Sequence, residues 1–229
     1  MRVSPLFLVV GVLSAACSPA NKDAATDTGA AAPATSTASD PDVQTAGGGV
    51  PAGYTGRTDR ESQNIADASY TVNGGAWTVK TGPAHIVWGA GDSASGNFTA
   101  TASFELVEPP AHPEAFGLFI GGRNLEQPTQ QYTYFLVRNN GEYLVKSRNG
   151  AETANVIAWT ASPDVPAAGS GAKYELAVRA AGDSVHFLVN GKQVAAQPRS
   201  ALPSVDGVAG LRINHNLSLR ATPVVVTRN

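Results

Sequence analysis

Residues 173–194 read KYELAVRAAGDSVHFLVNGKQV, and this stretch decides the fold. Every second residue from Tyr174 to Val178 is apolar, a period typical of a strand with one buried face. The same alternation returns from Val185 and leads into Asn190-Gly191, a pair that strongly favours a two-residue hairpin turn. The stretch therefore predicts antiparallel strands joined by tight turns.

The alternation continues through the chain from Tyr54 onward. Residues 98–108, FTATASFELVE, place apolar side chains on one face, and the apolar run at 116–120 indicates a central strand. A second turn signal, Asn140-Gly141, predicts a hairpin between YTYFLVR and EYLVKSR. We expect further strands at 77–80, 85–88, 156–159, 210–213 and 217–226.

Helical signals are few. The one predicted helix runs from Thr58 to Ala68, where Thr58 and Glu61 have the spacing of a capping box. About ten short strands separated by Gly, Pro and Asn turns predict an all-β fold, an antiparallel β-sandwich or jelly roll.

The order of these segments carries a resemblance. AWTVKTGPAHIVW (76–88), FGLFIGG (116–122), YTYFLVRNNGEY (132–143), the stretch quoted above and GVAGLRI (207–213) follow one another. This order resembles the concanavalin A-like lectin/glucanase sandwiches, in particular the laminin-G-like and 3-keto-glycoside-hydrolase-like domains of bacterial envelope proteins. The resemblance covers about residues 75–227 and implies a fold, but no catalytic signature comes with it.

The N-terminus has the features of an export signal. Arg2 is followed by an apolar stretch, Leu6 to Leu13, and by small residues before Cys17. This arrangement resembles the lipobox of bacterial lipoproteins, although Leu13 stands four places before Cys17 and Ser14 occupies the usual leucine position. We expect an exported protein attached to a membrane by lipid on Cys17, with simple secretion as the alternative. Ser18 favours the outer membrane.

The predicted domain organisation has three parts. Residues 1–17 form the signal, and residues 18–53, rich in Ala, Thr, Ser, Pro and Gly, form a disordered linker. Residues 54–229 form the sandwich domain. Its acidic and basic residues are equal in number, so nucleic acid is not expected as a partner.

Catalytic and metal signatures are weak in the sequence. Glu105 and Glu108 fall on opposite faces of their strand, so they do not form the carboxylate pair of a glucanase, and we predict no catalytic residue. The four histidines are scattered, and we expect no metal and no cofactor. A calcium ion is the alternative, held by aspartates that lie in turns: Asp92, Asp164, Asp183 and Asp206.

An aromatic and basic group is the candidate ligand site. On a concave sheet, tyrosine rings and planar hydrogen-bond donors suit a sugar. The predicted ligand-binding residues are Arg123, Tyr132, Tyr134, Arg138, Lys146, Arg148, Arg212 and Asn214.

Three hypotheses for function remain open at this point. The first is a non-catalytic, lipid-anchored domain that binds a glycan at the cell envelope. The second is an enzyme that acts on sugars, and the third is a structural module whose partner is an envelope protein.

Overall fold

The computed structural model describes residues 40–228, which form sixteen strands and two short 3-10 helices, Ile65–Asp67 and Arg199–Ala201. The strands are β1 (Tyr54–Thr58), β2 (Ser69–Asn73), β3 (Ala76–Lys80), β4 (His85–Gly89), β5 (Ser93–Ala94), β6 (Phe98–Glu108), β7 (Ala115–Arg123), β8 (Gln131–Arg138), β9 (Glu142–Asn149), β10 (Glu152–Ala161), β11 (Lys173–Ala181), β12 (Ser184–Val189), β13 (Lys192–Pro198), β14 (Gly207–Ile213), β15 (Ser218–Ala221) and β16 (Val225–Arg228). No helix among residues 40–228 has the length and hydropathy that crossing a membrane requires.

The strands form two antiparallel sheets. The first sheet has the order β1-β4-β14-β7-β8-β9-β10, with β5 paired to β14. The second sheet has the order β13-β12-β11-β6-β15-β3-β2, with β16 paired to β6. The prediction of an antiparallel β-sandwich of the jelly-roll type is confirmed.

The stretch that decided the fold contributes three neighbouring strands of the second sheet. β11 and β12 pair antiparallel, with Val178 opposite Phe187, and both side chains are buried. Asn190 and Gly191 have φ values of 50° and 77°, so both central residues of the turn adopt the left-handed conformation that a type I′ hairpin requires.

The core lies between the two sheets and is rich in aromatic rings. The Phe116 ring of β7 lies 5.3 Å from Phe104 and 5.1 Å from Tyr174, which belong to the second sheet. Phe135 and Phe187 make a similar contact at 5.3 Å. Each such side chain contributes roughly 1.5–3 kcal/mol on burial, so these rings hold the sheets together.

The predicted helix at Thr58–Ala68 is wrong. Thr58 ends β1, and only Ile65–Asp67 is helical, capped by the Asn64 side chain, which accepts from the Ala66 amide. The Thr58 hydroxyl donates to two backbone carbonyls of the turn instead of capping a helix. A helix here would have had only a thin apolar face to bury.

The predicted strand 217–226 is two strands. β15 ends at Ala221 and β16 begins at Val225. Pro223 lies between them and has no N–H to donate to a neighbouring strand, which favours a break at this place. Both strands pair with β6 of the second sheet.

The compact unit of the sandwich begins at Asp40, so it includes residues 40–53 of the predicted linker. The Asn216 side chain holds this segment from both sides, accepting from the Val43 amide at 2.8 Å and donating to the Pro41 carbonyl at 3.1 Å. The Gly48 amide donates to the Ala66 carbonyl. The predicted signal, Cys17 and residues 18–39 lie outside the described residues.

Candidate functional site

The outer face of the first sheet, which is the face turned away from the second sheet, is apolar and aromatic. Antiparallel sheets commonly present one polar face to water, so a second apolar cluster on the outside marks a candidate functional surface. The cluster consists of buried side chains joined by the half-buried Trp159 and Val208: Ile86, Trp88, Ala115, Phe119, Leu125, Tyr132, Tyr134, Leu136 and Leu144.

Strand register brings several predicted site residues together on this face. Tyr132 of β8 lies opposite Arg148 of β9, and Tyr134 lies opposite Lys146. Arg212 of β14 lies opposite Gly117, which has no side chain, so the guanidinium can extend across β7 towards Tyr134. The guanidinium carbon of Arg212 is 5.9 Å from the centre of the Tyr134 ring.

Asp59, in the turn after β1, pairs with two of these arginines. One carboxylate oxygen accepts from Arg148 Nη1 at 3.2 Å, and the other accepts from Arg212 Nη2 at 2.5 Å. Arg212 is only 6% exposed and also donates to the His85 carbonyl. Burial acts to lower the pKa of Arg212, but the Asp59 charge opposes it, and the net pKa is raised.

Loops cover the part of this face nearest β1. Arg57 Nη1 donates to the carbonyls of Leu125 at 3.3 Å and Gln127 at 2.6 Å, which fastens the loop after β7 to β1. Tyr132 is 1% exposed and Tyr134 6%. Burial raises the pKa of Tyr134 to about 12, although Arg212 opposes the shift, so the phenol stays protonated at neutral pH. This part of the face is filled by side chains.

The accessible part of the face lies over β9, β10 and the end of β8 at Arg138. The Arg138 guanidinium stacks on the Trp159 ring with its carbon 3.7 Å from the ring centre, and Trp159 is half-buried. Lys146 is half-buried, and Asn155, opposite it in register, is exposed. A flat indole beside amide and cationic donors is chemically suited to holding a sugar ring.

Two predicted site residues lie apart from this group. Arg123 donates to the Asp206 carbonyl at 3.3 Å, at the end of β7. Asn214 donates to Glu114 Oε2 at 3.1 Å, in a separate polar cluster. The structure therefore brings together Tyr132, Tyr134, Arg138, Lys146, Arg148 and Arg212, but not these two.

That polar cluster centres on His215, between the segment before β1 and the loop after β6. His215 Nδ1 lies 3.2 Å from Asp42 Oδ1, and Nε2 lies 3.1 Å from Glu114 Oε1 and 4.0 Å from Asp40 Oδ2. Asp40 and Glu114 line an adjoining cavity of about 330 Å³ that also contains His112.

Metal binding is not indicated by this cluster or by the turn aspartates. One ligand atom each from Asp40, Glu114 and His215 lie within 4.8 Å of one another, but hydrogen bonds of the imidazole with Asp42 and Glu114 account for the same arrangement. Three of the four turn aspartates have partners nearby. Asp92 accepts from the Gly89 amide, while Asp164 and Asp206 pair with Lys192 and Arg199.

The structure also adds residues that sequence reasoning missed. Asp59 lay within the predicted helix, and its partners Arg148 and Arg212 are 89 and 153 residues away in the chain, so no local pattern pointed to it. Trp159 is the last residue of the predicted strand 156–159. A tryptophan on the outward side of a strand end was the one sequence feature that could have marked it as a site residue. Trp88 and Phe119 belong to the same outer cluster.

Comparison with known proteins supports the class of fold. No family model matches the chain, and no curated protein sequence matches it significantly. The carbohydrate-binding module CBM66 from Bacillus subtilis is similar in structure, with a TM-score of 0.53 and 16% identity over 76% of this chain and 94% of that chain. At this identity the likeness concerns the fold, an antiparallel β-sandwich of the jelly-roll type.

Two further solved structures share less with this chain. An alginate lyase, A1-II′, aligns with a TM-score of 0.48 and 12% identity over 70% of this chain and 83% of that chain. Sheep galectin-11 in complex with glycerol aligns with a TM-score of 0.40 and 14% identity over 59% of this chain and 92% of that chain.

Proposed function

We propose that the protein is a non-catalytic carbohydrate-binding domain and that its ligand lies on the outer face of the first sheet, over β8 to β10. The observation that carries the proposal is the half-buried Trp159 ring with Arg138 stacked on it and Lys146 and Asn155 beside it. The named function of CBM66, which has the same fold, supports a glycan as the ligand.

The pairing beneath this surface supports a binding role over a reactive one. Both carboxylate oxygens of Asp59 are already paired, one with Arg148 and the other with Arg212. Glycoside hydrolysis requires two carboxyl groups flanking the bond, and Glu142, an acidic side chain beside the accessible surface, lies 3.7 Å from Arg138. The arrangement offers fixed donors and a flat apolar ring.

Binding of the mature chain to a glycan array tests the proposal. Trp159→Ala should weaken binding of a retained glycan about tenfold, because aromatic side chains at the centre of a binding surface carry much of its affinity. Val225→Ala, an exposed change on β16 of the second sheet, is the matched control and should bind as the parent does. Absence of any retained glycan, or full binding by the Trp159 variant, would overturn the proposal.

The proposal includes export and a lipid anchor on Cys17. The support is the sequence order of Arg2, the apolar stretch and the small residues before the chain's single cysteine. Cells fed an alkyne-labelled fatty acid should label the parent protein, and Cys17→Ser should lose the label and leave the membrane fraction. Labelling that persists in the Cys17→Ser variant would contradict the anchor.

One observation favours the enzymatic alternative. The carboxylates of Asp40 and Glu114 approach each other beside His215, next to the cavity of about 330 Å³. No Trp, Tyr or Phe side chain lines that cavity, so the described structure offers no large aromatic platform for a sugar there. Breakdown of a retained glycan by the parent protein, abolished by Glu114→Gln, would favour this alternative over simple binding.

A further inference from the structure

We infer that the glycan bound by the outer face of the first sheet is anionic, bearing carboxylate or sulfate groups. The inference rests on the proposed function and adds the chemical class of the ligand. It follows from the distribution of charge on this face and from the shortage of carboxylates to neutralise it.

Positive charge is concentrated on this face. From its strands and the turn after β1, two carboxylates, Asp59 and Glu142, lie on this face against five cations: Arg57, Arg138, Lys146, Arg148 and Arg212. Arg123 of β7 and Glu152 of β10 lie in the row of Gln131 and Asn149, which alternates to the other side of the sheet. In the adjoining loops Arg60 stands against Glu61, and Glu126 is a further acid. The chain from Tyr54 onward is neutral, so the excess is a local property of this surface.

Arg138 pairs with Glu142 at 3.7 Å, but the other four cations on this face are under-compensated. Arg148 and Arg212 share the single negative charge of Asp59. Arg57 is bonded to neutral backbone carbonyls at 3.3 and 2.6 Å. Within residues 40–228, Lys146 has neither a salt bridge nor a side-chain hydrogen bond, although it lies between the Tyr134 and Asn155 positions on the accessible part of the face.

The other sheet shows that this imbalance is not general. On its outer face Glu105 lies opposite Lys173 and pairs with Arg220 at 3.8 Å. Lys80 pairs with Glu108 at 4.0 Å. Arg179 and Glu175 of β11 also lie on this face, so four cations stand against three carboxylates, close to the mixed charge of an ordinary solvated sheet face.

A ligand with an anionic group beside Lys146 would supply the counter-charge that this side chain lacks. A half-buried ammonium next to aromatic rings is less well screened than one in water, so pairing with a carboxylate or sulfate favours the charged ligand. Trp159 and Asn155 would contact the sugar ring itself, and Lys146 would select among sugars by charge.

Calorimetric titration of the mature chain with matched saccharides tests the inference. The probes are hexuronate oligosaccharides with their carboxyl-reduced counterparts, and sulfated oligosaccharides with their desulfated counterparts. We expect one charged form to bind at least about tenfold more tightly than its neutral counterpart, and its affinity to fall with rising ionic strength. The pair that shows the difference identifies the anionic group.

Variants assign the effect to this face. Lys146→Gln should weaken binding of the charged form about fivefold and that of the neutral form less, so that the preference for the charged form narrows. Lys173→Gln, on the outer face of the second sheet, is the matched control and should change neither. Equal binding of charged and neutral forms, or no effect of Lys146→Gln, overturns the inference while binding itself upholds the proposed function. If no saccharide binds, either on the array or in the titration, both the inference and the proposed function are overturned.

Discussion

Asp59 is the single residue on which the arrangement of the outer face depends most. Its two carboxylate oxygens fix the guanidiniums of Arg148, from β9, and Arg212, from β14, strands that are not neighbours in the first sheet. Because Arg212 is almost fully buried, its charge needs this partner. The position of both arginines, and of the Tyr134 ring near Arg212, follows from it.

Asp59→Asn should therefore destabilise the protein by about 3 kcal/mol, because it leaves a buried guanidinium without a counter-charge. Denaturant unfolding followed by tryptophan fluorescence measures the change. Asp183→Asn, in the exposed hairpin turn between β11 and β12, is the matched control and should stay within about 0.5 kcal/mol of the parent. Parental stability of the Asp59 variant would show that the ion pairs contribute little.

Sequence reasoning at the residue level succeeded where the signal is local. Tyr132, Tyr134 and Arg138 share a face because alternate residues of one strand do, and the Asn140-Gly141 turn placed Lys146 and Arg148 beside them. The burial of both tyrosines was not foreseen, because the covering loop is fastened by Arg57, from β1. Contacts of that kind join distant parts of the chain and leave no periodic pattern.

At the level of elements, the sequence predicts the strands that have one deeply buried face, but it does not predict the short edge strands β1 and β2. β6, β11 and β12 alternate cleanly between buried and exposed positions. β1 and β2, which lie at the edges of their sheets, have few buried residues and so show little alternation. The segment 40–53 resembled a linker for the same reason: it is attached by backbone groups and by polar side chains such as Asp42 and Asn216, with few apolar side chains.

His85 joins elements of the two sheets. It belongs to β4 of the first sheet, and its Nε2 accepts from the Tyr70 hydroxyl of β2 in the second sheet at 2.5 Å. Its Nδ1 donates to the Pro83 carbonyl at 2.9 Å, so the neutral imidazole satisfies both nitrogens. Burial, as the largest cause, lowers the pKa of His85 to about 4.

This lowered pKa makes stability depend on pH. The unfolded chain binds a proton at His85 below about pH 6.5, whereas the folded protein does so only near pH 4. The stability that neutral His85 contributes is fully present above pH 6.5. It is lost as the pH falls towards 4, where the free energy of unfolding is lower by about 3 kcal/mol. Unfolding free energies measured across this range should show the decline.

A pair of histidine variants isolates the effect. His85→Gln should be less stable than the parent at neutral pH and should show a shallower decline between pH 6.5 and pH 4. His112→Gln, in an exposed loop, should keep the parental slope. A His85 variant with the parental slope would assign the acid sensitivity to other groups.

At the scale of the whole molecule, the two outer faces of the sandwich differ in chemistry. The second sheet presents charges of both signs, whereas the first sheet presents aromatic rings with an excess of cations. The cluster at His215 lies elsewhere, where the segment before β1 meets the loop after β6. This asymmetry is the reason that we propose the outer face of the first sheet as the binding surface and a charged glycan as its ligand.

The central claim, that a glycan binds over β8 to β10, is tested most directly by NMR. Backbone amide shifts of the isotopically labelled mature chain are recorded while a glycan retained on the array is added. We predict the largest shift changes around Arg138, Lys146 and Trp159, with the second sheet unaffected. Changes concentrated on the outer face of the second sheet, or around His215 and Glu114, would contradict the claim.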